Sequence, residues 1–300
     1  MRLNDPSAPS MTEEEFRLLR DVIHAYCGLW YRDENLYLLE RRLVPRVQAL
    51  GLPDFAAYHR HLRFDPGRDA ELEEAADVLT TNETYFCREP YQLDAFRREI
   101  LPALAESNRA ERRLRLLSAG CSTGEEAYTL AALVRESGLF DGWDVEIVGL
   151  DISRRCVAAA RAGAYGEHAF RTPEAAPLKR WFHLRGGKWV VDDALRELVR
   201  FQRENLVSSR ALAAVSRLDA VFCRNVIIYF DLSARRQLLR RAWERMREGA
   251  WLLLGHSESL LNVTADFELV HLTADLVYRK PAGGSGGPPG PDGAGGGRAR

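Results

Sequence analysis

No stretch of this 300-residue chain approaches the ~20 consecutive apolar residues that a membrane helix requires. Cysteine is sparse. The five (Cys27, Cys87, Cys121, Cys156 and Cys223) are scattered, odd in number and without CxxC spacing. That pattern argues against a disulfide framework and against a thiolate metal site, so no metal is expected. The thiols read as buried and free in a reducing compartment. Neither sign of charge is in excess: 42 Lys and Arg against 43 Asp and Glu leave a net charge of −1. No general attraction to nucleic acid or an anionic membrane follows, and electrostatic recognition has to come from local patches. The opening residues, MRLNDPSAPS, lack the apolar core of a signal peptide. The expectation is a cytoplasmic protein with no direct membrane insertion.

What is present suffices for one large domain or two. Residues 12–80 read as helical. Thr12 and Glu15 have capping-box spacing ahead of Phe16, Leu19, Ile23 and Tyr26 on one face. A second helix carries Leu36, Leu39, Leu43, Val47 and Leu50 and stops at Gly51; a third, capped by Asp54, and a fourth near Leu72–Leu79 complete a small bundle. From Arg113 the rhythm changes to strand and helix in alternation. Leu114–Ala119, Val145–Leu150 and Leu218–Cys223 are continuous apolar runs, as parallel central strands require. Helices are expected near 125–137, 153–162 and 233–247, a further strand at Ala250–Leu254, and a closing antiparallel pair at Phe267–Leu272 and Leu276–Tyr278. This is a doubly wound α/β domain. An irregular insert before the strand near Leu198–Gln202 contains a β-hairpin pattern at Trp181–Leu184 and Lys188–Val191. The last residues, 281–300, are Gly/Pro-rich and read as a disordered tail.

The segment LSAGCSTGEEAYTLA, 117–131, joins a buried strand to a helix through a glycine turn rich in backbone N–H donors, a ready site for a nucleotide-like ligand. Glu125 and Glu126 stand where a phosphate would sit and would repel it. A ligand with positive charge, such as the sulfonium and ammonium of S-adenosylmethionine, meets no such objection; an ordinary βα turn with two solvated glutamates is the alternative. Asp151 ends the next strand, where a carboxylate can hold ribose hydroxyls or cap the helix after it. Asn205 and Asn225 follow two further strands, each either offering an amide to a ligand or bonding its own loop. TTNETYFCRE, 80–89, lies between the two regions yet holds Asn82, Thr84, Tyr85, Phe86 and Arg88, too dense an aromatic and polar cluster for a bare linker. It either lines a site or pins two domains together. Arg42 and Arg46, an i,i+4 pair off the leucine stripe of the second helix, form either a solvated face or a patch for an acidic partner.

Taken in order, TTNETYFCREP, SAGCSTGEEAYTLA, GLDIS with ARAGAY, and LDAVFCRNVIIYFD with LLLGHSES resemble the chemotaxis receptor glutamate O-methyltransferases, the CheR family, from about Thr12 to Lys280. The resemblance implies an all-α N-terminal receptor-docking domain (11–78) and a linker (79–92) that contributes to the cofactor site. It implies a class I, Rossmann-like methyltransferase domain (93–280) with a small antiparallel β-subdomain inserted at 163–200. It also implies S-adenosylmethionine as cofactor and S-adenosylhomocysteine as product. By motif, Asn82, Thr84, Arg88, Glu125, Asp151, Asn205, Leu206, Arg224 and Asn225 would bind the cofactor. Arg88 and Tyr229 would sit beside the reacting methyl group, and Arg42 and Arg46 would dock the receptor.

The implied activity is methylation of glutamates on chemoreceptor cytoplasmic helices, by a cytoplasmic protein recruited to receptor arrays. A methyltransferase for another protein or a small acid, and a non-catalytic S-adenosylmethionine-binding regulator, are the alternatives. Two departures stand out. Pro45 falls inside the basic helix and Gln48 replaces a frequent basic residue, so a bent and weaker docking surface is expected. The hairpin HLRGGKWVV is short and lacks the longer loop that grips a receptor's C-terminal pentapeptide in some members, so no pentapeptide tether is expected.

Overall fold

Thr12 opens the first helix through both halves of a capping box. Its hydroxyl accepts the Glu15 N–H at 3.2 Å, and its own N–H donates to the Glu15 carboxylate at 2.8 Å. In the computed structural model, which describes residues 9–283, four helices follow in turn: α1 (Glu13–Cys27), α2 (Leu36–Ala49), α3 (Phe55–Phe64) and α4 (Arg68–Leu79). Their apolar stripes share one core, with Phe16, Leu19 and Ile23 packed against Leu39, Leu43, Phe55, Tyr58, Leu62 and Leu79. α2 is helical from Leu36 to Ala49, with Pro45 inside it. Of the tail 281–300, residues from 284 on lie outside the described residues.

Two helices, α5 (Pro90–Ala95) and α6 (Leu101–Ser107), joined by a π-helical turn at Phe96–Ile100, lead into the sheet. The chain then runs β1 (Arg113–Ala119), α7 (Glu125–Ser137), β2 (Asp144–Asp151) and α8 (Arg154–Ala162). After β3 (Ala164–Tyr165), β4 (Phe182–Arg185), β5 (Lys188–Val191) and α9 (Asp193–Arg196), it re-enters the large sheet at β6 (Val199–Arg203). β7 (Leu218–Cys223), α10 (Leu232–Arg245), β8 (Met246–Leu254), β9 (Glu268–His271) and β10 (Leu276–Arg279) complete it. The strand order is β6-β2-β1-β7-β8-β10-β9, with β10 antiparallel to both its neighbours and the other pairs parallel. β7 is buried at every position, which its unbroken apolar run requires. The chain winds outward from β1 on one side and from β7 on the other. The carboxyl ends of these two strands therefore frame the crevice where ligands of open α/β sheets bind.

The insert forms a separate three-stranded sheet in the order β3-β5-β4. The hairpin is as its pattern predicts; the third strand, two residues long, is too short for alternation to announce it. Phe86 ties the linker to this insert, not to the helical bundle. Its fully buried ring stacks on Phe170 at 4.5 Å and meets Tyr165 and Phe182 edge-on at 4.9 and 5.1 Å.

The helical domain sits over the carboxyl edge of the large sheet. Acidic side chains of α4 pair with arginines there: Glu73 with Arg203 at 2.7 Å, Glu74 with Arg154, and Asp77 with Arg155 at 3.9 Å. Two hydrogen bonds complete the junction, from Asn205 Nδ2 to the Tyr26 carbonyl at 2.6 Å and from the Trp30 N–H to the Tyr229 carbonyl at 2.9 Å. The roof of the crevice is thus built from the bundle.

Candidate active site

β1 ends at Ala119, and the turn after it holds the chain close to the sheet. Gly124 has φ +95°, and a Cβ there would lie 2.9 Å from both Ala160 and Phe201, so this position admits no side chain. α7 begins at the next residue. In front of the turn opens a cavity at the carboxyl edge, walled by the linker, the strand ends and the bundle's Cys27, Leu29, Thr80 and Thr81.

Most of the residues singled out in the sequence meet on this wall. Asn82, Thr84 and Arg88 come from the linker, Asp151 from β2, Asn205 and Leu206 from the loop after β6, and Arg224, Asn225 and Tyr229 from the loop after β7. Arg88 gives one guanidinium N–H to the Glu83 carbonyl at 2.8 Å. Asp151 is buried and accepts two backbone N–H groups, Ser122 at Oδ2 and Ser153 at Oδ1, both at 2.8 Å. It does not cap α8; that task falls to the Ser153 hydroxyl, which accepts from the Cys156 N–H. Asn205 lines the cavity and also bonds its own loop, its Oδ1 accepting the Val207 N–H at 3.2 Å.

Three positions depart from expectation. Glu125 is buried but outside the cavity wall, its carboxylate accepting the Thr123 hydroxyl at 2.6 Å; Glu126 lines the cavity in its place. Arg42 and Arg46 are not free for a docking surface. Arg46 forms a two-pronged pair with the buried Glu71, at 2.9 and 2.6 Å, and Arg42 donates to the Leu79 carbonyl and the Thr81 hydroxyl. Both guanidinium groups are used to hold α2 against α4 and the start of the linker.

The wall of the cavity carries excess negative charge. Arg224 is buried between two carboxylates, Glu89 and Glu126, each at 3.2 Å. Burial pushes the carboxyl pKa of Glu126 up, opposed by Arg224 and the Ser118 hydroxyl; burial likewise raises Asp151, opposed by its two N–H donors. Asn225 Oδ1 is buried at the wall and has no hydrogen-bond partner among the described residues. Sequence reasoning passed over Glu89 and Glu258 and gave Glu126 no ligand contact of its own. Glu89 and Glu258 both lie in motifs quoted above, but the cavity-loop groups they bond, Arg224 and Asn225, are distant in sequence.

Residues 14–80 match the family model of the CheR methyltransferase, all-alpha domain, and residues 82–276 match that of the CheR methyltransferase, SAM binding domain. The chain belongs to the CheR methyltransferase family. It is 37% identical over 278 residues to chemotaxis protein methyltransferase 2 of Pseudomonas aeruginosa, covering 89% of this chain and 93% of that one. It is 32% identical over 278 residues to chemotaxis protein methyltransferase 1 of the same organism (90% and 99%), and 30% identical over 273 residues to chemotaxis protein methyltransferase 2 of Vibrio cholerae (90% and 94%). The CheR fold is a class I methyltransferase sheet with an all-α N-terminal domain, and its activity is methyl transfer with S-adenosylmethionine as donor. The CheR cavity here fits that cofactor: the excess carboxylate charge suits a cation, and Asn225 Oδ1 offers an unused acceptor to an ammonium or hydroxyl. No helix among the described residues is long and apolar enough to cross a membrane.

Proposed function

We propose that this CheR-family protein esterifies glutamate side chains on the cytoplasmic helices of methyl-accepting chemoreceptors, giving glutamate methyl esters and S-adenosylhomocysteine. The observation that carries this reading is Arg88 on the cavity wall with only one of its N–H donors committed, alongside Tyr229. A glutamate is already ionised at pH 7, so the site has no proton to remove; it has to hold an anion and exclude water. Arg88 holds the incoming carboxylate, and the Tyr229 hydroxyl orients it. When bound, S-adenosylmethionine supplies a methyl group on a positively charged sulfur, open to in-line attack by a carboxylate oxygen. Asn82, Thr84 and Arg88 would contact it from the linker, Glu126 from the first turn of α7, Asp151 from the end of β2, and Asn205, Leu206, Arg224 and Asn225 from the far loops.

The partner is then the receptor's cytoplasmic bundle, which implies a cytoplasmic protein recruited to receptor arrays. The insert's hairpin turns in two residues, Gly186 and Gly187, both with positive φ, and leaves no loop to grip a tethering peptide. The short turn supports methylation independent of a C-terminal pentapeptide. Peptide mapping by mass spectrometry of receptor cytoplasmic fragments, after incubation with enzyme and S-adenosylmethionine, tests the proposal: one methyl mass added at glutamate is expected, and modification confined to other residue types overturns it.

A further inference from the structure

The motif LLLGHSES has no role in the binding or chemistry above, yet one of its residues shapes the loop that carries both. We propose that Glu258 is a positioning residue of the active site. Its carboxylate organises the loop of Arg224, Asn225 and Tyr229 from behind.

Each oxygen of Glu258 accepts two backbone N–H groups. Oε2 receives Asn225 at 2.7 Å and Gly255 at 2.7 Å; Oε1 receives Val226 at 2.8 Å and Ile228 at 3.1 Å. Three of the four donors belong to the cavity loop. Glu258 itself does not line the cavity, so it acts only through the loop. The loop's shape is unusual enough to need such a hold. Asn225 sits at φ +58°, a left-handed conformation that a non-glycine residue adopts at some cost, and the side chain it aims at the cavity has the unpartnered Oδ1. The other end of the loop is tied by the Tyr229 carbonyl to the Trp30 N–H. Between these two anchors the positions of Asn225 and Tyr229 are set.

Charge and shape are both required at position 258. A carboxylate accepts at both oxygens, and with ionised acceptors the bonds are roughly twice as strong as neutral ones. A glutamine would present an NH₂ group to two of the N–H donors. Gly255 completes the arrangement by close approach: a Cβ there would lie 2.7 Å from Asn225 Nδ2 and 2.8 Å from both Asn225 N and Glu258 Oε2.

The experiment compares Glu258→Gln, Glu258→Asp and Glu258→Ala with the full chain. It measures S-adenosylhomocysteine affinity by calorimetry, kcat and KM on receptor fragments, and amide hydrogen exchange. In Glu258→Gln and Glu258→Ala, the amides of Asn225, Val226 and Ile228 should exchange at least about tenfold faster while those of β1 and β7 keep their protection. Affinity for S-adenosylhomocysteine should fall about tenfold or more per folded molecule, with kcat falling as well, and Glu258→Asp should recover more of both than Glu258→Gln. A Glu258→Gln protein with affinity and kcat within about twofold of the parent, or one whose losses track a uniform rise in exchange across the fold, overturns the proposal. The kcat arm rests on the glutamate-methylation reading, but the affinity and exchange arms do not. If receptor fragments accept no methyl group from the parent enzyme, that reading fails while Glu258 is still tested.

Discussion

Arg224 Nη1 lies 3.2 Å from Glu126 Oε2, and the same guanidinium meets Glu89 Oε2 at 3.2 Å. One buried cation between two carboxylates leaves a negative charge in excess beside the cavity, which a cationic ligand neutralises. Glu125, Glu126 and Asp151 all have carboxyl pKa values raised by burial. In the unfolded chain these groups ionise near the ordinary ~4, so in the free protein their protonation is stabilising. That contribution is fully present below the ordinary value and is lost as pH rises through the raised ones. A cation favours the ionised forms of the two groups on the wall, Glu126 and Asp151. Affinity for S-adenosylmethionine should therefore climb as pH rises from the ordinary carboxyl range through the raised values, more steeply than that for S-adenosylhomocysteine, whose sulfur is neutral. Calorimetric titrations across this range check it; parallel or flat profiles for the two ligands would contradict the assignment.

Arg88→Ala should lower kcat about 100-fold or more while S-adenosylhomocysteine affinity falls less than about tenfold. The reason is that Arg88 is assigned chiefly to the incoming carboxylate. Steady-state kinetics with calorimetry separates the two effects. An unchanged kcat would remove Arg88 from the reaction.

Phe86→Ala empties the centre of a four-ring cluster and should cost about 3–5 kcal/mol in denaturant unfolding. Because Phe86 lies in the linker between Thr84 and Arg88, cofactor affinity should fall with it. Lost stability without lost affinity would mean the linker keeps its place by other contacts.

Arg46→Ala strands the buried Glu71 and should destabilise the helical domain by about 3 kcal/mol. The exposed neighbour Arg41→Ala should change stability by less than about 0.5 kcal/mol. Denaturant titration of the two variants distinguishes an internal brace from a surface charge. Equal small effects would return Arg46 to the surface.

Where a feature is encoded locally, the sequence announces it. The Thr12–Glu15 cap, the apolar runs of β1, β2 and β7 and the turn at Gly124 all depend on residues within a few positions of one another, and the structure has them there. Strand ends and a crowded linker mark Asn82, Arg88, Asp151 and Asn225 as candidates, and the resemblance to the CheR family implies their place at the cofactor site. What failed depends on partners distant in sequence. Helical spacing places Arg42 and Arg46 off the leucine stripe of α2, but only the packing of α4 reveals that Glu71 waits there. The difference between Glu125 and Glu126 lies in their hydrogen bonds: Thr123 holds Glu125, and Ser118 and Arg224 hold Glu126. Glu258 holds amides some 30 residues away that no local pattern connects to it.

The most direct test uses methyl-labelled S-adenosylmethionine, this enzyme and cytoplasmic fragments of chemoreceptors, followed by mild alkali. Glutamate methyl esters hydrolyse under those conditions, so the expected result is label in the receptor fragment that is released as methanol. It should be absent when the acceptor glutamates are replaced by alanine. Label that resists alkali, or no transfer by a protein that binds the cofactor, would contradict glutamate esterification as the function of this site.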